Sequence, residues 1–149
     1  MPIRIQTEDF DLSAELKRLR SDHLDIGAIV SFVGTVRDIN EDDSILSMEL
    51  EHYPGMTESV LQEIENHARR RWDILGSLVI HRVGVLKPTD QIVLVAVASR
   101  HRGEAFRACE YMIDALKTQA PFWKKEQTAN GGVRWVEAKQ SDKSALEKW

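Results

Sequence analysis

The chain is poor in cysteine: Cys109 is its only one, so no internal disulfide can form and no group of thiols is available to hold a metal. It also lacks an excess of positive charge. With 20 Lys and Arg against 24 Asp and Glu, the formal net charge is −4, which speaks against a dedicated nucleic-acid binder, because such proteins carry an overall basic footprint. No apolar run approaches the roughly 18 residues of a membrane span, and the opening "MPIRIQTEDF" lacks the basic segment and apolar stretch of a signal peptide. The glycines build no phosphate-binding loop, no G-x-S-x-G elbow is present, and the scattered histidines have no metal-ligand spacing. The expectation is a cytoplasmic protein in which any anion site is local.

What remains is ordinary globular material. The 149 residues suit a single domain, 1–149, and 42% apolar with 30% charged residues is a normal soluble composition. Leu12, Leu16 and Leu19 fall at helical intervals in 12–20. The segment 27–37, "GAIVSFVGTVR", reads as a β-branched strand with a basic tip at Arg37, followed by the acidic loop "DINEDDS". The alternating strand 45–53 is expected to pair with it and to stop at Pro54-Gly55. A helix over 57–72 takes Thr57 as N-cap and turns Val60, Leu61, Ile64, Ala68 and Trp72 inward. Strands are expected at 77–86 and 91–99, joined through "KPTD", and the second is apolar enough to be central and covered on both faces. The helix 103–118 buries Ala105, Phe106, Cys109, Met112, Ile113 and Leu116, and Pro121 prevents its continuation. A hairpin around "ANGG" closes the chain, and Trp135 and Trp149 read as packing anchors. The order β-α-β-β-α-β-β-α-β-β gives an α+β fold, a sheet covered by helices.

Three distant segments end in unusual chemistry. Arg37 sits at a strand end, "SRHR" (99–102) stands where a strand becomes a helix, and Lys117, Lys124 and Lys125 flank the corner Pro121-Phe122-Trp123. A helix N-terminus offers unpaired N–H groups and a partial positive charge, so His101 and Arg102 are placed to hold a phosphate or carboxylate. Each feature also has a bland explanation. Polar strand-to-helix junctions are common, a lysine in the last turn of a helix is favoured by the helix dipole, and lysines on an edge strand deter aggregation. "HARRR" (67–71) is a solvated face rather than a nucleic-acid patch, His52 and Tyr53 are as much support as chemistry, and His23, His67 and His81 have no visible partner.

The segments "LEHYPGMTE" (50–58), "VIHRVGVL" (79–86), "SRHRGEAF" (99–106), "LKTQAPFWKKE" (116–126) and "RWVEA" (134–138), in that order, resemble the large catalytic subunit of molybdopterin synthase, over about residues 27 to 149. The resemblance implies an α/β-hammerhead fold, with a mostly antiparallel sheet covered by helices and an extra hairpin subdomain. It implies a homodimer of large subunits within a heterotetramer, each binding a small ubiquitin-like sulfur carrier that ends in a Gly-Gly thiocarboxylate. The substrate implied is cyclic pyranopterin monophosphate, a pterin phosphate converted to the molybdopterin dithiolene, with no cofactor and no metal. Carried over by position, the essential lysines fall on Lys117 and Lys124, and the anion-binding positions on Arg37, His101, Arg102 and Lys125. The substrate-contacting set also takes in Thr35, Val36 and Glu126, and Lys139 is the position that reaches toward the neighbouring subunit. Thr35 departs from a frequent lysine and Lys139 from an arginine, which exchanges a bidentate contact for a point charge. An adaptor that only binds an acidic tail, and a pterin or nucleotide phosphate enzyme without a protein partner, are the alternatives. Lys117 as nucleophile, proton donor or simple cation also stays open.

Overall fold

The computed structural model describes residues 2–40, 43–136 and 140–149. Among these are four helices and nine strands, and the strands form two sheets. The first has the order β1-β5-β7-β2, where β1 is Ile3–Gln6, β2 is Ala28–Thr35, β5 is Gly76–Arg82 and β7 is Gln91–Ser99. Its pairings are antiparallel except for β1 with β5. The second sheet carries β3 (Ile39–Asn40), β4 (Asp43–His52), β8 (Phe122–Thr128) and β9 (Val133–Val136), with β6 (Gly84–Leu86) joined to β4. The expected α+β class with mostly antiparallel pairing is observed, but the strands form two sheets rather than one, and the β8–β9 hairpin is not a separate subdomain: it joins β4 in the second sheet.

The uninterrupted apolar run of β7 has a direct cause. Val93, Val95 and Val97 face the core closed by α2 (Met56–Arg71) and α3 (Arg102–Gln119), while Leu94 and Ala96 face Phe10 and the leucines of α1 (Leu12–Ser21). Both faces are dry, so alternation disappears. Helix α1 starts on Asp11, whose carboxylate accepts from the Ala14 amide at 3.1 Å. Buried carboxylates are paired: Glu15 with Arg4 at 2.5 Å, and Glu65 with Arg69 and the Ser77 hydroxyl. No helix among the described residues is long and apolar enough to cross a membrane.

Several expectations are corrected. Strand β2 does not pair with β4: it lies against β7, and β4 pairs with β3, β6 and β8 in the other sheet. The segment 77–86 is two strands, because Gly84 at φ 92 turns the chain out of the first sheet and into the second. Thr57 is not the N-cap of α2. Gly55 takes that place at φ 87, with its amide donating to the Glu58 carboxylate at 3.0 Å, and Thr57 is fully buried one position inside the helix. Phe106 is exposed rather than on the buried stripe of α3, and Trp135 is exposed on the outer face of β9, whereas Trp149 packs against Trp72 and Tyr111. A fourth helix, α4 (Gln140–Glu147), has no counterpart in the sequence-based order.

Candidate functional site

Helix α3 ends at Gln119 because Ala120 is already extended at ψ 129, as the residue before a proline must be. Lys117 is therefore in its last turn. The chain then turns through Pro121 directly into β8, and the corner is tied down from outside: the Thr57 hydroxyl donates to the Pro121 carbonyl at 3.1 Å and accepts from the Tyr53 amide at 3.0 Å. Along β8 the side chains alternate. Phe122, Lys124, Glu126 and Thr128 share one face, and Trp123, Lys125 and Gln127 share the other.

Arg37 arrives from the other sheet. It follows β2 in a loop fixed by two backbone hydrogen bonds, Val36 amide to Asp90 carbonyl and Thr89 amide to Val36 carbonyl, both 2.9 Å. Those partners belong to the "KPTD" turn, where Asp90 accepts from the Lys87 amide at 2.9 Å and Thr89 holds the left-handed φ of 78. Val36 is buried and pins the loop, leaving Thr35 and Arg37 exposed beside it.

These three sources meet. A narrow cavity of about 120 Å³ is lined by Thr35, Val36, Arg37, Lys117, Lys124 and Glu126. A wider one of about 410 Å³ shares Arg37, Lys117 and Lys124 with it and extends along Phe122 to His81 and Asp142. Glu126 is 5% exposed and accepts from Arg134 Nε on β9 at 3.1 Å, so its charge is matched across the hairpin. The cavity thus gathers three cations from a loop, a helix end and a strand, which suits a ligand with more than one negative charge.

Not every candidate residue comes to this place. Lys125 is on the other face of β8, with its ammonium 5.8 Å from the Trp135 ring centre. His101 and Arg102 are exposed at the start of α3, so roughly 20 Å of helix separates Arg102 from Lys117 within one chain. Lys139 lies outside the described residues.

Sequence reasoning missed His81. It is 4% exposed on β5, stacks on Phe122 with ring centres 3.8 Å apart and planes at 19°, and places Nδ1 2.8 Å from the Arg82 carbonyl. Burial pushes its pKa down to about 3, and the positive charges of Lys124 and Lys117 act in the same direction, against the Arg82 carbonyl. The available signal was parity, since Val79 and His81 share the face of β5 turned toward the main core. Cys109 is inert by comparison: burial pushes its thiol up to about 12. A cavity of about 590 Å³ elsewhere is bordered by Arg4, Arg18 and Arg69, each already engaged with Glu15 or Glu65.

Comparison with known proteins follows the same lines. The family model described as "MoaE protein" matches residues 5–119. The molybdopterin synthase catalytic subunit of Ralstonia nicotianae is 61% identical over 147 residues, covering 99% of this chain and 83% of that protein. Among solved structures, the molybdopterin biosynthesis MoaE protein from Burkholderia ambifaria superposes with TM-score 0.85 at 54% identity, over 99% of this chain and 96% of that one. The complex of subunits 1 and 2 of the molybdopterin-converting factor from Helicobacter pylori shares the fold at 22% identity, with TM-score 0.74 over 94% and 92% of the two chains.

Proposed function

We propose a mechanism from one premise: this chain belongs to the MoaE family and is a molybdopterin synthase catalytic subunit, an enzyme that transfers sulfur. The sulfur comes from the C-terminal Gly-Gly thiocarboxylate of a small ubiquitin-like carrier subunit, and the acceptor is cyclic pyranopterin monophosphate. The observation that carries this reading is the meeting of Arg37, Lys117 and Lys124 in one cavity. A thiocarboxylate and a phosphate are both anions. Drawing them together without counter-charge costs about 4 kcal/mol per close pair at an effective dielectric of 20, and the three cations offset that repulsion. The protein's own thiol offers no substitute source, because Cys109 is buried with its proton firmly held.

Within this reading Lys117 and Lys124 are the catalytic pair. Once the thiocarboxylate sulfur has bonded to the pterin side chain and displaced an oxygen substituent there, they stabilise the negative charge that develops on the carrier's carbonyl oxygen as water adds to its carbon. Collapse of that adduct breaks the carbon–sulfur bond and leaves the sulfur on the pterin. The carrier leaves as an ordinary carboxylate once water has replaced the sulfur, and two rounds supply both sulfurs of the dithiolene. Thr35, Val36, Arg37 and Glu126 contact the substrate. The tied Pro121 corner holds the lysines in place before the substrate arrives, which reduces what must be ordered in the transition state.

His101 and Arg102 enter through a second copy of the chain. Their distance from Lys117 along α3 is too great for one ligand to span, so a homodimer, two large and two small subunits in all, supplies them to the partner copy's cavity. Lys125, on the other face of β8, belongs to the same outward-facing set, and Lys139 is the position assigned to the neighbouring subunit's site. The reading places the reaction in the cytoplasm.

The test is a reconstitution of the chain with thiocarboxylated carrier and cyclic pyranopterin monophosphate, scored for dithiolene product. Product that requires all three components supports the reading. Equal turnover with free sulfide and no carrier overturns it.

A further inference from the structure

Histidine at position 81 has a hydrogen-bonding state that its neighbours dictate. The Arg82 carbonyl can only accept, so Nδ1, 2.8 Å away, carries the ring proton, and Nε2 is left with a bare lone pair. No residue among those described donates to Nε2. Glu104 Oε2 is the one fully buried side-chain polar atom without a partner among the described residues, so Nε2 is not sealed off and keeps access to the cavity that His81 lines. The ring cannot swing away, because it lies flat on Phe122 at 3.8 Å.

The surroundings make this acceptor distinctive. Around it stand Lys124 on β8, Lys117 on α3, His52 on β4 and, farther along the cavity, Arg37 and Asp142. The cations only donate, and the nearby Thr118 hydroxyl is spent on the Asp114 carbonyl at 3.1 Å. Asp142 is an acceptor that carries charge. His81 offers a neutral acceptor that does not compete with the ligand's anionic group for the lysines.

We propose that Nε2 of His81 is a substrate-binding acceptor, taking a hydrogen bond from an N–H or O–H donor on the heterocyclic part of the phosphate-bearing ligand while Arg37, Lys117 and Lys124 hold its anionic part. This rests on the reading of the cavity as the pterin phosphate site and assigns a specificity role within it. A ligand with the phosphate alone satisfies the cations but leaves the acceptor empty; one with a donor-bearing ring fills both. The acceptor also persists across the working pH range, since the buried imidazole does not take up a second proton there.

Three variants separate this role from packing. His81→Asn keeps an N–H near the position of Nδ1, His81→Gln keeps an acceptor near the position of Nε2, and His81→Leu keeps neither. Binding of cyclic pyranopterin monophosphate to the dimer without carrier is measured by calorimetry, with inorganic phosphate as the second ligand, and KM and kcat are measured in the reconstituted synthase. The expected result is Kd and KM raised roughly threefold to tenfold in His81→Asn and His81→Leu, the range of one neutral hydrogen bond, with kcat and phosphate binding unchanged. His81→Gln stays within about twofold of the wild type on the same scale. Unchanged pterin affinity in both His81→Asn and His81→Leu overturns the proposal, as does an equal loss of phosphate binding, which would mark a packing defect. Wild-type protein that makes product while His81→Leu shows the same KM defeats this proposal alone. Wild-type protein that binds phosphate but no pterin defeats the functional reading together with it.

Discussion

Thr57 and Pro121 are 64 positions apart, yet the hydroxyl of one donates to the carbonyl of the other at 3.1 Å. The same hydroxyl accepts from the Tyr53 amide, so a single oxygen joins the end of β4, the first turn of α2 and the corner between α3 and β8. Replacing it with an apolar isostere leaves a carbonyl and an amide unpaired. Thr57→Val is therefore expected to lower the free energy of unfolding by about 1–3 kcal/mol in urea titrations and to reduce kcat, while Thr57→Ser restores both. A Thr57→Val enzyme with wild-type kcat would mean that the corner holds the lysines without this tie.

Truncation of Lys117 tests the chemistry with little effect on the core, since the residue is only half-buried at the helix end. Lys117→Ala is expected to cut product formation by at least about a hundredfold, as loss of one preorganised charge-stabilising group does, with carrier affinity and melting temperature nearly unchanged. Turnover retained within about twofold would reduce Lys117 to a helix-end charge.

Much of this site was legible because it is built from short-range rules. Pro121 stops a strong helix and the next residues alternate as a strand, which puts Lys117 and Lys124 on either side of one corner, while the choice of these two as the pair came from the family resemblance. The central position of β7 followed from its unbroken apolar run. Long-range choices were not legible. Nothing local tells β2 to pair with β7 rather than β4, and the switch of sheets at Gly84 depends on a φ of 92 that glycine permits but does not announce. Thr57 has the chemistry of an N-cap, but Gly55 takes that place and the Thr57 hydroxyl is used at long range instead. For His81 parity marked only a core-facing position, and its role was not legible for a related reason: its partner Phe122 is brought to it by the tertiary fold.

Cys109 gives a test of where the sulfur is not carried. Its thiol is 3% exposed, donates weakly to the Val95 carbonyl at 3.6 Å and is pushed up to about 12 by burial and by the charge of Glu110. Native protein at pH 8 is expected to resist iodoacetamide and to react only on unfolding. Cys109→Ala should retain sulfur transfer at a stability cost of about 1 kcal/mol. Loss of turnover with an intact melting temperature would bring the thiol into the mechanism.

Stability in acid carries the mark of His81. Its pKa lies near 3 in the fold and near 6.5 in the unfolded chain, so between those values the unfolded state binds the extra proton. The contribution is present in full above pH 6.5 and is lost as pH falls, by up to about 1.4 kcal/mol per pH unit. His81→Gln removes that component. The difference in unfolding free energy between wild type and His81→Gln should therefore shift in favour of the variant from pH 7 to pH 5, by about 2 kcal/mol. Parallel stability curves for the two proteins would show that the buried imidazole titrates as an exposed one does.

The separation of Arg102 from Lys117 yields the most exposed prediction. If His101 and Arg102 complete the cavity of a second copy, Lys117→Ala and Arg102→Ala each disable both sites of their own homodimer. A mixed dimer behaves differently: one of its two cavities combines an intact Lys117 from one chain with an intact Arg102 from the other, while its second cavity carries both defects. Random exchange of the two inactive variants at equal concentration gives about half mixed dimers, each with one complete site, so activity should return to roughly a quarter of the wild-type level, with each site taken as independent. Recovery should follow the rate of subunit exchange and vanish if the dimers are cross-linked before mixing. If Arg102 instead serves the cavity of its own chain, no mixed dimer contains a complete site and no activity returns. If Arg102→Ala alone keeps full turnover, the start of α3 has no part in the reaction, and its exposed His101-Arg102 pair is only a polar strand-to-helix junction.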